Sequence, residues 1–139
     1  MNKKKFTSNK REQSFLTSKN FYESLNYAFS GINYCLKNSS NFRIQIFCAV
    51  ITLFIGFTLK LNSFEKIVIV AAIFSVLILE ILNTSIESLV DLVVGNKFHK
   101  LAKICKDCSA ASVLIASINS IFVAAYIFLP KIRVILFNQ

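Results

Sequence analysis

The chain has 139 residues, 55% of them hydrophobic, and carries a formal net charge of +9. A water-soluble domain of this length needs more polar surface to cover its core, and a disordered chain holds far less Phe, Ile, Leu and Val. What remains is an all-α integral membrane protein, and the segments are read on that basis.

Residues 1–19 hold Lys3, Lys4, Lys5, Lys10, Arg11 and Lys19 among polar side chains. They read as a basic tail lying near anionic headgroups. No secretory signal is read, because the first apolar segment of sufficient length begins near residue 42 and follows this polar arm. Over residues 20–38, Phe21, Leu25, Ala28, Phe29, Ile32, Cys35 and Leu36 recur at helical spacing, with Glu23, Asn26, Tyr27, Ser30, Asn33, Tyr34 and Lys37 opposite. That pattern predicts an amphipathic helix in the membrane surface, too polar to span.

Three spans are expected next. The first covers about 42–61, with Arg43 at its mouth and Gly56 inside. The second covers about 64–94, apolar early and carrying Glu80, Asn83, Glu87 and Asp91 late. At about 1.5 Å per residue it outruns a ~30 Å hydrocarbon core and must project on one side. The third covers about 108–129, is rich in Ala and Ser, which suits close helix packing, and is expected to stop at Pro130. The organisation is then a basic tail over 1–19, one membrane-embedded domain over 20–130 and a short C-terminal tail over 131–139.

Of the 16 Lys and Arg residues, twelve fall before the first span, at its mouth (Arg43) or in the 95–107 loop, and Lys60, Lys66, Lys131 and Arg133 fall on the other side. The positive-inside rule places the N-terminus and the 95–107 loop in the cytoplasm, in a cell or inner membrane. The same distribution accounts for the +9 charge, so no nucleic-acid partner is inferred. Cys105 and Cys108 form a lone C-x-x-C, and His99 is the single histidine. A zinc site would need two further ligands, so these cysteines are read as small residues near the membrane surface.

The second span carries the chemistry. Glu80, Asn83, Glu87 and Asp91 share one face of a helix. An acid at membrane depth costs about 2.5–3.5 kcal/mol even on the lenient insertion scale, which marks Glu80 for function. Glu80 and Glu87 lie about 10 Å apart along the axis, too far to share one proton. Glu80, in the drier place, suits a general base, and Glu87, nearer water, suits a divalent cation. Lys106 beside Asp107 offers a cation for phosphate next to a second acid. Together these describe phosphoryl transfer from a nucleotide on the cytoplasmic side to a lipid alcohol in the bilayer, by positioning and electrostatics and with no Gly-rich cradle. A single three-span subunit is too thin to enclose such a site, so an oligomer is expected. The competing reading is a non-enzymatic or catalytically impaired membrane scaffold whose buried acids pair between helices.

The segment EILNTSIESLVD (Glu80 to Asp91), followed by HKLAKICKDCSAASVLIA (His99 to Ala116), closely resembles the prokaryotic diacylglycerol kinase and undecaprenol kinase family. SLNYAFSGI (Ser24 to Ile32) and NFRIQ (Asn41 to Gln45) also fit, so the resemblance runs from about Ser24 to Phe128. It implies a homotrimer with active sites shared between neighbours, using ATP and Mg²⁺ to phosphorylate a lipid hydroxyl. It makes Glu80 the proton acceptor, Asn83 an orienting neighbour and Glu87 a metal ligand, with Asp91 in support. It places Lys106 and Asp107 on the ATP phosphates, Tyr27 against the nucleotide, and Lys97, Phe98 and His99 along the same pocket. One position departs from the pattern: where the family has a second metal-binding glutamate, three residues before the Phe-Arg pair, this chain has Ser39. A neutral hydroxyl lacks the carboxylate's charge, so a weaker metal or ATP site is expected. Diacylglycerol and undecaprenol fit equally as the substrate.

Overall fold

Segments of high hydropathy interrupted by short polar turns give helices and nothing else. The computed structural model describes residues 20–95 and 97–137, and among these there are four α-helices and no strand. They are α1 (Phe21–Asn38), α2 (Ser40–Thr58), α3 (Ser63–Val94) and α4 (Lys100–Phe137). The basic tail expected over 1–19 lies outside the described residues. The chain divides into two compact units at Tyr34 and Cys35. In the first, α1 exposes Phe21, Tyr22, Tyr27 and Phe29.

The second unit holds the membrane domain. α2, α3 and α4 are each long and apolar enough to cross a membrane. Their outward residues are large and apolar: Phe54, Phe57, Phe64, Ile121, Phe122 and Tyr126 are all more than two-thirds exposed. In water that surface would be untenable, and in a bilayer it is the solvated face. Several hydroxyls on these helices find acceptors inside the protein, as suits hydrocarbon surroundings. Thr52, Ser75, Ser85 and Ser88 each donate to the carbonyl four residues earlier.

Local signals set the helix ends. Ser39 caps α2, its Oγ accepting from Phe42 N at 3.1 Å. Arg43 donates to the last carbonyls of α1, at Leu36 and Lys37, both at 3.0 Å. At the far end of α2, Lys60 adopts φ +50°, Lys60 N donates to Phe57 O and Leu61 N to Gly56 O. This is a Schellman termination with lysine where glycine is usual. Leu61 packs back so closely that a Cβ on Gly56 would lie 2.9 Å from its Cδ1. Asn62 and Glu65 then form a reciprocal capping box that starts α3. Gly95, at φ +57° and ψ −133°, ends α3 in a conformation only glycine adopts readily.

α3 and α4 form an antiparallel pair, its register fixed by contacts along its length. Asp91 meets Lys106, Asn83 meets Ser109, Ser120 donates to the Ala72 carbonyl at 3.0 Å, and Glu65 meets Lys131. Leu61, Ile69 and Ile127 make a buried apolar knot near the α2–α3 turn, while the buried polar side chains Glu80, Asn83 and Ser109 lie farther toward the α3–α4 loop.

The structure corrects two boundaries of the third span. α4 begins at Lys100, so the loop expected over 95–107 shrinks to 95–99 and Lys106 and Asp107 are helical. Lys100 to Asp107 is charged and falls outside the apolar stretch, yet Leu, Ala and Lys are good helix formers. Nor does Pro130 stop α4, which continues to Phe137. Proline removes one backbone donor, and membrane helices tolerate that where neighbouring groups compensate. Here Lys131 binds Glu65 of α3 at 3.0 Å immediately after the proline.

Candidate active site

The 3.6-residue period of α3 turns Glu80 and Asn83 inward, and they are the most buried polar side chains of the described residues, at 2% and 6% exposure. Both Glu80 oxygens are engaged from α2. Ser39 Oγ donates to Oε1 at 2.8 Å and Gln45 Nε2 donates to Oε2 at 3.0 Å. Asn83 is engaged from both sides. Ser109 Oγ of α4 donates to its Oδ1 at 2.6 Å, and its own Nδ2 donates to Glu87 Oε1 at 3.2 Å. Two groups of polar contacts, one turn apart on α3, therefore join it to α2 through Glu80 and to α4 through Asn83.

Beside it lies a cavity of about 280 Å³ whose polar lining comprises Asn41, Gln45, Glu80, Asn83 and Ser117. Ile44, Gln45 and Ser117 also line an adjoining apolar groove that extends along the three helices as far as Ala124. A hydroxyl at Glu80 would thus adjoin a path for a hydrocarbon chain. Toward the α3–α4 loop, Glu87 is half-buried and Asp91 is exposed. Lys106 Nζ sits 2.6 Å from Asp91 Oδ1.

The residues singled out from the sequence thus divide into groups. Glu80, Asn83 and Glu87 are brought together with Ser39, and Asp91 is joined to Lys106. Asp107 is exposed on α4, as are Lys97, Phe98 and His99 in the loop before it. Tyr27 lies on α1 in the other unit and is half-exposed. Sequence reasoning missed Gln45 and Ser109. Gln45 carried a signal, being an amide inside an apolar helix, whereas Ser109 is one of several small hydroxyls on α4 and carried none.

The model of the prokaryotic diacylglycerol kinase family matches residues 26–128, a stretch that contains Ser39, Gln45, the polar face of α3 and Ser109. The chain belongs to that family. It is a lipid kinase embedded in the membrane. Among its relatives is the diacylglycerol kinase of Synechocystis, 38% identical over 88% of this chain and 70% of its own length. Another is the undecaprenol kinase of Bacillus subtilis, 36% identical over 81% of this chain and 90% of its own. The Escherichia coli K12 diacylglycerol kinase is 30% identical over 68% of this chain and 77% of its own. A lipid kinase requires a nucleotide phosphate donor as well as its lipid.

Among the described residues no three His, Cys, Asp or Glu side chains converge. Glu87, reachable and oriented by Asn83, offers one carboxylate. Mg²⁺ is commonly held by one or two carboxylates together with substrate phosphates and water, so this donor set fits a cation that arrives with a nucleotide.

Proposed function

We propose that this lipid kinase transfers the γ-phosphoryl group of ATP, with Mg²⁺, to the single hydroxyl of diacylglycerol or undecaprenol at the cytoplasmic face of the cell membrane. The observation that carries the reading is Glu80: a carboxylate at 2% exposure, hydrogen-bonded on both oxygens, beside a cavity that adjoins an apolar groove. Glu80 accepts the hydroxyl proton as the lipid oxygen bonds to the γ-phosphorus. The bond from that phosphorus to the bridging oxygen breaks, and ADP leaves with the electron pair. Asn83, fixed by Ser109, orients Glu87 and the reacting groups. Glu87 would hold Mg²⁺, which neutralises phosphate charge when bound. Lys106 serves the phosphates once released from Asp91, and Tyr27, Lys97, Phe98, His99 and Asp107 are assigned to the nucleotide.

The homotrimer is what the family resemblance implies, and the exposure of Lys97, Phe98, His99 and Asp107 in one chain is compatible with a neighbour completing the nucleotide side. The excess of Lys and Arg before α2 and around the α3–α4 loop supports a cytoplasmic N-terminus.

The test is transfer of label from γ-labelled ATP with Mg²⁺ to diacylglycerol and to undecaprenol, offered separately in mixed micelles. Label in one lipid, absent with Glu80→Gln, is the expected result and names the substrate. Label in neither lipid, with the oligomer intact, would favour the scaffold reading.

A further inference from the structure

Both hydrogen bonds to Glu80 come from α2, from residues six positions apart. Ser39 donates to Oε1 at 2.8 Å and Gln45 to Oε2 at 3.0 Å. Ser39 occupies the position at which the resemblance to the family leads one to expect a metal-binding carboxylate, yet its hydroxyl proton is spent on Glu80 while its lone pair caps α2. Gln45 is held less economically. Its Oε1 is buried and has no hydrogen-bond partner among the described residues. An unpaired buried acceptor is a cost to the fold, which an apolar side chain would avoid. The amide could be turned only by setting a carbonyl oxygen against a carboxylate oxygen. Neither the packing nor the secondary structure of α2 requires a glutamine here; the contact with Glu80 does.

We propose that Ser39 and Gln45 are positioning residues forming a two-point clamp, by which α2 fixes the Glu80 carboxylate for proton transfer. Ser39 then belongs to the base and not to the metal. The proposal rests on the reading of Glu80 as proton acceptor. Fixing both oxygens stops rotation of the carboxylate about its terminal torsion, which is otherwise broad. The lone pairs that remain are presented to the hydroxyl in one orientation, which acts on turnover and not on substrate affinity.

Two variants test it in the full-length protein. Ser39→Gly removes the donor but leaves a residue that caps helices nearly as well as serine. Gln45→Met keeps length and volume and removes both polar atoms. Each is expected to lower kcat about tenfold, the scale of one hydrogen bond to a charged group, with KM for ATP and lipid and the Mg²⁺ requirement unchanged. Thermal stability should be retained in Gln45→Met, and Ser39→Thr, which keeps the hydroxyl, should restore turnover. Wild-type kcat in either variant, with Glu80→Gln inactive, overturns the clamp and leaves the base standing. Turnover in Glu80→Gln overturns the reading beneath it. A raised Mg²⁺ requirement in Ser39→Gly with kcat intact returns Ser39 to the metal site and likewise overturns the clamp.

Discussion

Ser109 Oγ lies 2.6 Å from Asn83 Oδ1, a contact that ties α4 to the buried part of the polar face of α3 while leaving Asn83 Nδ2 for Glu87. The amide is thereby oriented: oxygen toward serine, nitrogen toward the carboxylate. Removing the hydroxyl strands a buried acceptor, at a cost of about 1–3 kcal/mol. Ser109→Ala is therefore expected to lower both thermal stability and kcat, and Ser109→Thr to spare the hydrogen bond. Melting in micelles, paired with lipid phosphorylation, checks both effects.

Glu87→Gln should leave the fold intact, since an amide oxygen still accepts from Asn83. The lost charge should raise the Mg²⁺ concentration needed for half-maximal activity at least several-fold. Ser39→Glu offers the converse. It brings back a carboxylate and removes a donor from Glu80, so the Mg²⁺ requirement should fall while kcat also falls. A magnesium titration of each variant at saturating ATP reads the two effects separately.

Asp91 and Lys106 form a pair whose side chains are 60% and 36% exposed. Exposed pairs contribute little to stability, so Asp91→Asn should shift it by less than about 1 kcal/mol. Its effect on the nucleotide is bounded by the same energy, a change in KM of up to about fivefold. With Asp91 neutralised, Lys106 no longer has to leave a carboxylate to meet a phosphate, and KM for ATP should drop. Lys106→Met should raise it. Opposite movements of KM in these two variants are the expected signature.

Lys60, at φ +50°, holds the left-handed position of the turn after α2. Side chains with a Cβ are strained there by roughly 1 kcal/mol. Lys60→Gly should stabilise the protein by about 0.5–1 kcal/mol and leave kcat unchanged, as the turn lies before the start of α3, about 25 Å along that helix from Glu80. Thermal unfolding in detergent, followed by circular dichroism, provides the measurement.

What could be read from the sequence was whatever repeats along one helix. Glu80, Asn83, Glu87 and Asp91 recur at helical spacing, so their common face, and their contrast with the apolar residues before them, needed no structure. Their partners are non-local. Ser39 is 41 residues from Glu80 and Ser109 is 26 from Asn83, and no local pattern joins residues so far apart. The boundaries of α4 went astray for a different reason. Charge at Lys100, Lys103 and Lys106 marks where hydrocarbon ends, not where helix ends, and the helix begins before the apolar stretch does. Pro130 carried the ordinary meaning of a helix stop, which the surroundings of a membrane helix override.

α2 is the shortest of the three crossing helices, 19 residues against 32 and 38. At about 1.5 Å per residue it only just matches a hydrocarbon layer of ~30 Å, while α3 and α4 have length to spare. A thicker bilayer therefore pulls first on α2, whose opening turn is capped by the same hydroxyl that holds Glu80. If Glu80 acts as proposed, acyl-chain length in the surrounding lipid is expected to act on the geometry of its carboxylate, and turnover in vesicles of increasing thickness should decline before the protein unfolds.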